Sequence, residues 1–216
     1  NSTYTPTTYV ASPTEWIVRG DPTGTGVDKE NYPNAMRDAS AAYQMALLWK
    51  LTGNVDYANA SIKVMNDWVD KCKGITSNDA NQTLAAGVQG YTFANAAEIM
   101  QTYNNWTDKD KSDFKQWMLD VFAKKNLDFL EKHGEQCGDH YWSNWDLVSL
   151  SSYLAIGILT EKDDMVNYVV NYFYNGVGNG YIGKLIRGTF TDPLGSGEGI
   201  AQNQESGRDQ GHAMMT

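Results

Sequence analysis

Two segments, far apart along the chain, hold most of the side chains that could move protons or hold charge. The first is Asp139-His140-Tyr141-Trp142-Ser143-Asn144-Trp145-Asp146, which opens onto a strongly apolar run. That position predicts a helix start, where free N–H groups and the positive dipole end suit an anion such as a carboxylate. Asn144 can donate from its amide to a carboxylate oxygen. Tyr141, Trp142 and Trp145 offer aromatic faces on which a sugar ring can stack, with His140 beside them. The plainer alternative is an N-cap followed by core aromatics. The second segment is Gln202-Asn203-Gln204-Glu205-Ser206-Gly207-Arg208-Asp209-Gln210-Gly211-His212. Arg208 supplies a planar fork for carboxylates, His212 a base that works near neutral pH, and Glu205 and Asp209 carboxylates to orient them. The alternative is a solvated loop with a helix-capping Asp.

Together these groups match the needs of β-elimination at a sugar acid. The carboxylate must be neutralised so that the neighbouring C5 proton becomes removable, a base must take that proton, and an acid must protonate the leaving oxygen at C4. Candidates for each role are present with no call on a metal or cofactor. The expected pair is Asn144 as neutraliser and His212 as base, facing each other across a groove. Two rival readings use the same residues. A glycoside hydrolase would pair Glu198 or Glu205 with Asp146. A non-catalytic glycan-binding module would use the aromatics alone.

Four other patterns carry little weight. Gly178-Asn179-Gly180-Tyr181-Ile182-Gly183 spells GxGxxG but lacks a strand–turn–helix context. The overlapping stretch to Lys184-Leu185 has leucine where a phosphate-binding loop needs Ser or Thr. Gly195-Ser196-Gly197-Glu198-Gly199 has its serine one place early for a nucleophile elbow. His133, Cys137 and His140 have ligand-like spacing, which a disulfide at Cys137 would cancel.

Helices must position the two segments. Asn34 could cap a helix carrying Ala35, Ala39, Ala42, Tyr43, Ala46, Leu47 and Leu51 and ending at Gly53. Further helices are expected at Val55–Lys71, about Phe93–Tyr103, from near Lys109 through Phe122, around Leu127–Leu130, at about Asn144–Leu159 and at Asp163–Tyr174. Alternation of strand type is absent. Helix, short turn, helix is the recurring unit, so the fold class is all-α: antiparallel helical hairpins in an incomplete ring. Residues 1–33 read as an extended lead-in with turns at Asp21-Pro22-Thr23-Gly24 and Tyr32-Pro33, and residues 34–216 as the helical domain. Glycine-rich residues 175–211 read as structureless, and a new helix starts near Arg208 and runs into Met214 and Met215. Because Thr216 falls in mid-pattern, the remainder of the same protein is expected as a separate or missing part.

The 216 residues carry a net charge of −9, with 7 Trp and 13 Tyr. An acidic chain argues against a nucleic-acid partner, and an acidic glycan would need a locally basic cleft. No apolar run is long enough to span a membrane. Sequons at Asn1, Asn59, Asn81 and Asn105 lean towards secretion, and Cys72 with Cys137 fits one disulfide in an oxidising compartment. Two buried free thiols are the alternative.

Several motifs resemble the alginate-lyase superfamily. Asn34-Ala-Met-Arg-Asp38-Ala39-Ser-Ala-Ala-Tyr43, followed by Leu-Leu-Trp-Lys-Leu-Thr-Gly, is similar to its first repeat. Ala85-Ala-Gly-Val-Gln89-Gly-Tyr91-Thr-Phe-Ala-Asn-Ala-Ala-Glu98-Ile-Met resembles its next inner helix, and Tyr141-Trp-Ser-Asn144-Trp-Asp146 its Asn/His/Trp segment. Glu205-Ser-Gly-Arg208-Asp-Gln-Gly-His212 resembles polysaccharide lyase family thirty-eight, which acts on glucuronan and alginate. The resemblance implies an incomplete (α/α) toroid and an acidic polysaccharide substrate. It implies Asn144 as carboxylate neutraliser and His212 as base or second neutraliser. A catalytic Tyr would come from beyond Thr216, and Gln89 and Tyr91 are lesser candidates for lining the cleft.

Overall fold

The computed structural model describes residues 5–6, 8–20, 29–77 and 79–213. The expected turn at Asp21–Gly24, the Asn1 sequon and the Met214–Met215 pair lie outside the described residues. Helices form the body of the fold, as the apolar periods require. Helix α1 spans Tyr32–Thr52 and starts before Asn34 because Pro33 fits a first turn, where its missing N–H has no partner to lose. It ends at Gly53, whose φ of 70° is the left-handed stop that glycine adopts without strain. Helix α2 covers Val55–Lys71, capped by the Asn54 side chain, which accepts from the Asp56 N–H at 2.9 Å.

Helix α3 runs Asn81–Met100, so it begins well before the expected Phe93. Gly87 and Gly90 read as breakers in the sequence, but here they allow close packing. A Cβ on Gly87 would sit 2.0 Å from Val148 Cγ2, and one on Gly90 2.3 Å from Ser152 Oγ. Helices α4 (Asp108–Met118) and α5 (Lys124–Lys132) join through a π-helical turn at Leu119–Ala123 that keeps Val121 and Phe122 inside. Helix α6 is Ser143–Leu159 and α7 is Asp163–Asn175.

Helix α3 packs between α1 and α6, and these three make one row. Helix α2 packs on α1, and α5 and α7 pack on α6. The core centres on Phe93, whose ring meets Trp68, Phe114, Trp117 and Phe122. Each such buried side chain contributes about 1.5–3 kcal/mol. The lead-in is fastened to this body by Asp38, a buried carboxylate that accepts from Tyr9 Oη, the Ser12 N–H and Trp68 Nε1.

Strands do occur, contrary to expectation. Strand β1 (Trp16–Val18) pairs in parallel with β2 (Gly74–Thr76), too short to show alternation. Short helix α8 (Ile182–Leu185) leads into β3 (Ile186–Thr191), which forms an antiparallel hairpin with β4 (Gly199–Asn203). The stretch that read as structureless is therefore ordered by backbone pairing, which glycine-rich composition does not reveal. Short helix α9 (Gln210–Ala213) follows.

The expected disulfide is not formed. Cys72 is buried at the end of α2, with its carbonyl accepting from Trp117 Nε1 at 2.9 Å, whereas Cys137 is exposed and free. Burial pushes the Cys72 thiol up to about 11. At pH 8 an aromatic disulfide reagent should therefore titrate one thiol in the native protein and two in denaturant. Two fast thiols in the native state would contradict this packing. Gly87→Ala should lower stability by about 1–3 kcal/mol, read as a fall in the denaturation midpoint, because its methyl group must push Val148 aside.

Candidate functional site

The segment before α6 is shaped by three successive left-handed residues, His133, Gly134 and Glu135, which reverse the chain after α5. His133 holds this strained turn from inside. Its Nε2 lies 3.1 Å from Asp146 Oδ1 and 3.2 Å from the Tyr172 hydroxyl, and that hydroxyl donates to Asp146 Oδ2 at 3.2 Å. Asp146 Oδ2 also accepts from the Gly180 N–H at 2.7 Å. Burial, with Asp146 beside it, raises the Tyr172 hydroxyl well above the usual phenol range. A Cβ on Gly178 would lie 2.1 Å from Asp146 Oδ2, and one on Gly180 2.4 Å from Asp146 Cβ. The GxGxxG spelling thus serves a close backbone approach to Asp146.

Asn179 continues the tie, donating to the Tyr141 and Asp139 carbonyls at 2.7 and 3.2 Å. From the other side comes the end of the β3–β4 hairpin. Gln204 Oε1 accepts from the Ser143 N–H at 2.5 Å, and Glu205 Oε1 from the Asn144 N–H at 3.2 Å. Glu205 is fully buried, and its Oε2 pairs with Arg208 at 2.8 Å. The α6 N-terminus, expected to take a substrate carboxylate, is filled by the chain's own.

Between these two segments lies an open cleft of about 630 Å3. Its walls include His140, Tyr141 and Trp142 on one side and Gln202, Asn203, Gln204 and Ser206 on the other, with Asn179, Lys184 and Arg187 between. Asp139 is the one carboxylate among the described residues that line it. Lys184 Nζ bridges Asp139 Oδ1 at 2.5 Å and the Val177 carbonyl at 2.6 Å, which holds the Asp139 carboxyl below the usual range. Trp142 is 48% exposed, with the Arg208 guanidinium 4.6 Å from its ring centre.

The two predicted segments therefore meet, and His140, Tyr141, Trp142 and Gln204 line the cleft. Trp145 is half-buried and stacks on Tyr141 with centroids 4.7 Å apart. Asn144 is 1% exposed and does not line the cleft. Its Oδ1 is buried without a hydrogen-bond partner among the described residues. His212 also lies off the cleft lining and is held by Asp209 through its Nδ1. Gln89 is buried in α3, and Tyr91 lines a separate groove of about 200 Å3 between α3 and α6, so neither reaches this cleft. Three lining residues fall outside the two segments that the sequence singles out: Asn179, Lys184 and Arg187. The available signal was the pair of cations, Lys184 and Arg187, in a glycine-rich stretch of a chain with net charge −9.

Residues 12–184 match the model of the family described as Alginate lyase. No curated protein and no solved structure matches the chain. The cleft depends on the Glu205 latch, so Glu205→Gln should cost about 1–3 kcal/mol in urea unfolding through lost charge-assisted bonds. Glu198→Gln, on the exposed hairpin, should stay within about 0.5 kcal/mol. Equal midpoints for the two variants would show that the latch carries no stability.

Proposed function

The chain belongs to the alginate lyase family, and from that premise we propose that it is a secreted lyase cutting a uronate-containing glycan, glucuronan or alginate, by metal-independent β-elimination. The row of helices is then part of an (α/α) toroid, with the cleft at one end of α6. One observation carries this reading: a sugar-sized cleft lined by amides, cations and aromatic faces has a single carboxylate among the described residues, itself neutralised by Lys184. A glycosidase needs two carboxyl groups across the scissile bond. Its candidate partners are spent elsewhere, with Asp146 and Glu205 buried and saturated and Glu198 on the outer hairpin.

Elimination asks instead for charge neutralisation and proton transfer. Amides and a guanidinium neutralise a carboxylate by hydrogen bonds that strengthen as the C5 proton leaves. The sequence motifs suggest Asn144 and His212 as neutraliser and base, roles that both would have to serve from outside the lining of this cleft. The position of His140 and Tyr141 on the cleft wall favours a second assignment, in which the imidazole of His140 takes the C5 proton and the phenol of Tyr141 serves the leaving oxygen. Of the sequons, Asn105 sits exposed in the turn before α4 and is the best placed to carry a glycan.

Incubation with glucuronan, polymannuronate and a neutral glucan, followed by ultraviolet absorbance, tests the reaction. A C4–C5 double bond should appear with a polyuronate alone. Reducing ends without that chromophore would identify a hydrolase, and neither signal a binding module. Asn144→Ala should cost orders of magnitude in rate, and comparison of His140→Ala with His212→Ala identifies the base by which one loses about 100-fold or more.

A further inference from the structure

Nearly every positive group around the cleft already has an internal partner. Lys184 is held by Asp139 and the Val177 carbonyl. Arg208 is held by Glu205 and covers Trp142. The first N–H groups of α6 go to Gln204 and Glu205. Arg187 differs. It is exposed, lines the cleft, and makes no salt bridge among the described residues. Asp139 feels it only through the field, after its direct contact with Lys184.

The backbone also singles out Arg187. Ile186 pairs with Asn203 and Gly188 with Gln202, so β3 spends two steps where β4 spends one. Arg187 is the extra residue of that β-bulge. Bulges re-aim a side chain out of the ladder and are common beside functional sites. The two residues opposite, Gln202 and Asn203, line the same cleft and add amide donors next to the guanidinium.

We propose that Arg187 is the specificity-determining residue of this cleft, its guanidinium taking the free carboxylate of a bound sugar acid with Gln202 and Asn203 beside it. The assignment rests on the cleft being the polyuronate site. It does not come from the family match, which ends at residue 184. The fork geometry suits a carboxylate in two-point contact, which a lysine ammonium cannot reproduce. The substrate class that follows is a glycan whose bound sugar carries an unesterified carboxylate.

The test compares wild type with Arg187→Gln and Arg187→Lys. Each is titrated calorimetrically with oligomannuronate and oligoglucuronate, and with the same oligosaccharides after methyl esterification. The elimination assay runs in parallel. For the free acid that wild type binds, Arg187→Gln should raise Kd about tenfold or more, with KM rising in proportion, and Arg187→Lys should recover only part of that loss. The esterified oligosaccharide should bind wild type and Arg187→Gln equally. Unfolding midpoints should be unchanged, since the side chain is exposed. Undiminished binding of the free acid by Arg187→Gln overturns the proposal, as does an equal loss for free acid and ester, or no binding by wild type at all. Arg187-dependent binding without a chromophore would sink the lyase reading and leave this assignment standing. A chromophore formed with the same Kd and KM in Arg187→Gln would do the reverse.

Discussion

A buried helix start needs partners for its first N–H groups, and here those partners come from sixty residues downstream. Helix α6 is apolar on most of its surface and packs against α3, α5 and α7, so water cannot serve its N-terminus. Gln204 and Glu205 supply the missing acceptors. The second wall of the cleft follows from that requirement. The carboxylate of Glu205 can be fully buried because it faces a helix dipole and Arg208 together. Its anchorage fixes the end of the β3–β4 hairpin, and the hairpin becomes the second wall of the cleft. A helix-capping problem and a cleft-building problem thus share one solution.

Asp146 performs the matching task on the first wall. It gathers the reversed chain at His133, the α7 hydroxyl of Tyr172 and the glycine turn at 178–180 around one carboxylate. The two walls are therefore set by separate buried acids at the first turn of α6, Asp146 within it and Glu205 of the hairpin's end at its mouth.

The sequence made most of the long helices legible. Helix α2 matches its expected bounds, α6 and α7 differ by one residue, and α1 starts three residues early but stops where expected, because their apolar stripes and stop signals are local. Helix α3 was legible only in its second half, since a glycine placed for a close crossing looks the same as one placed to end a helix. The strands escaped because backbone pairing between distant stretches leaves no local trace in three-residue strands or in a glycine-rich hairpin. Both chemical segments were visible by their density of polar and aromatic groups. Their contact was not, because a helix N-terminus advertises an anion site without saying whose anion fills it. Bulge geometry, which re-aims Arg187, is equally silent in sequence.

The charge balance that looked awkward for an acidic substrate is a matter of range. Many of the acidic side chains lie on outer helix faces, several in i,i+4 pairs with lysines such as Lys63–Asp67 and Lys124–Asp120. Beyond a screening length of about 8 Å their field adds little inside the cleft. What a polyanion meets there is local: Lys184 cancelled by Asp139, Arg208 cancelled by Glu205, and Arg187 left over. One uncommitted cation is a moderate attraction. A row of them would hold every sugar of a polyuronate with equal strength, lowering KM without favouring the transition state and slowing departure of a charged product. On the proposed assignment, a single guanidinium with no ion-pair partner among the described residues, set among amides, favours one carboxylate of the bound glycan over its neighbours.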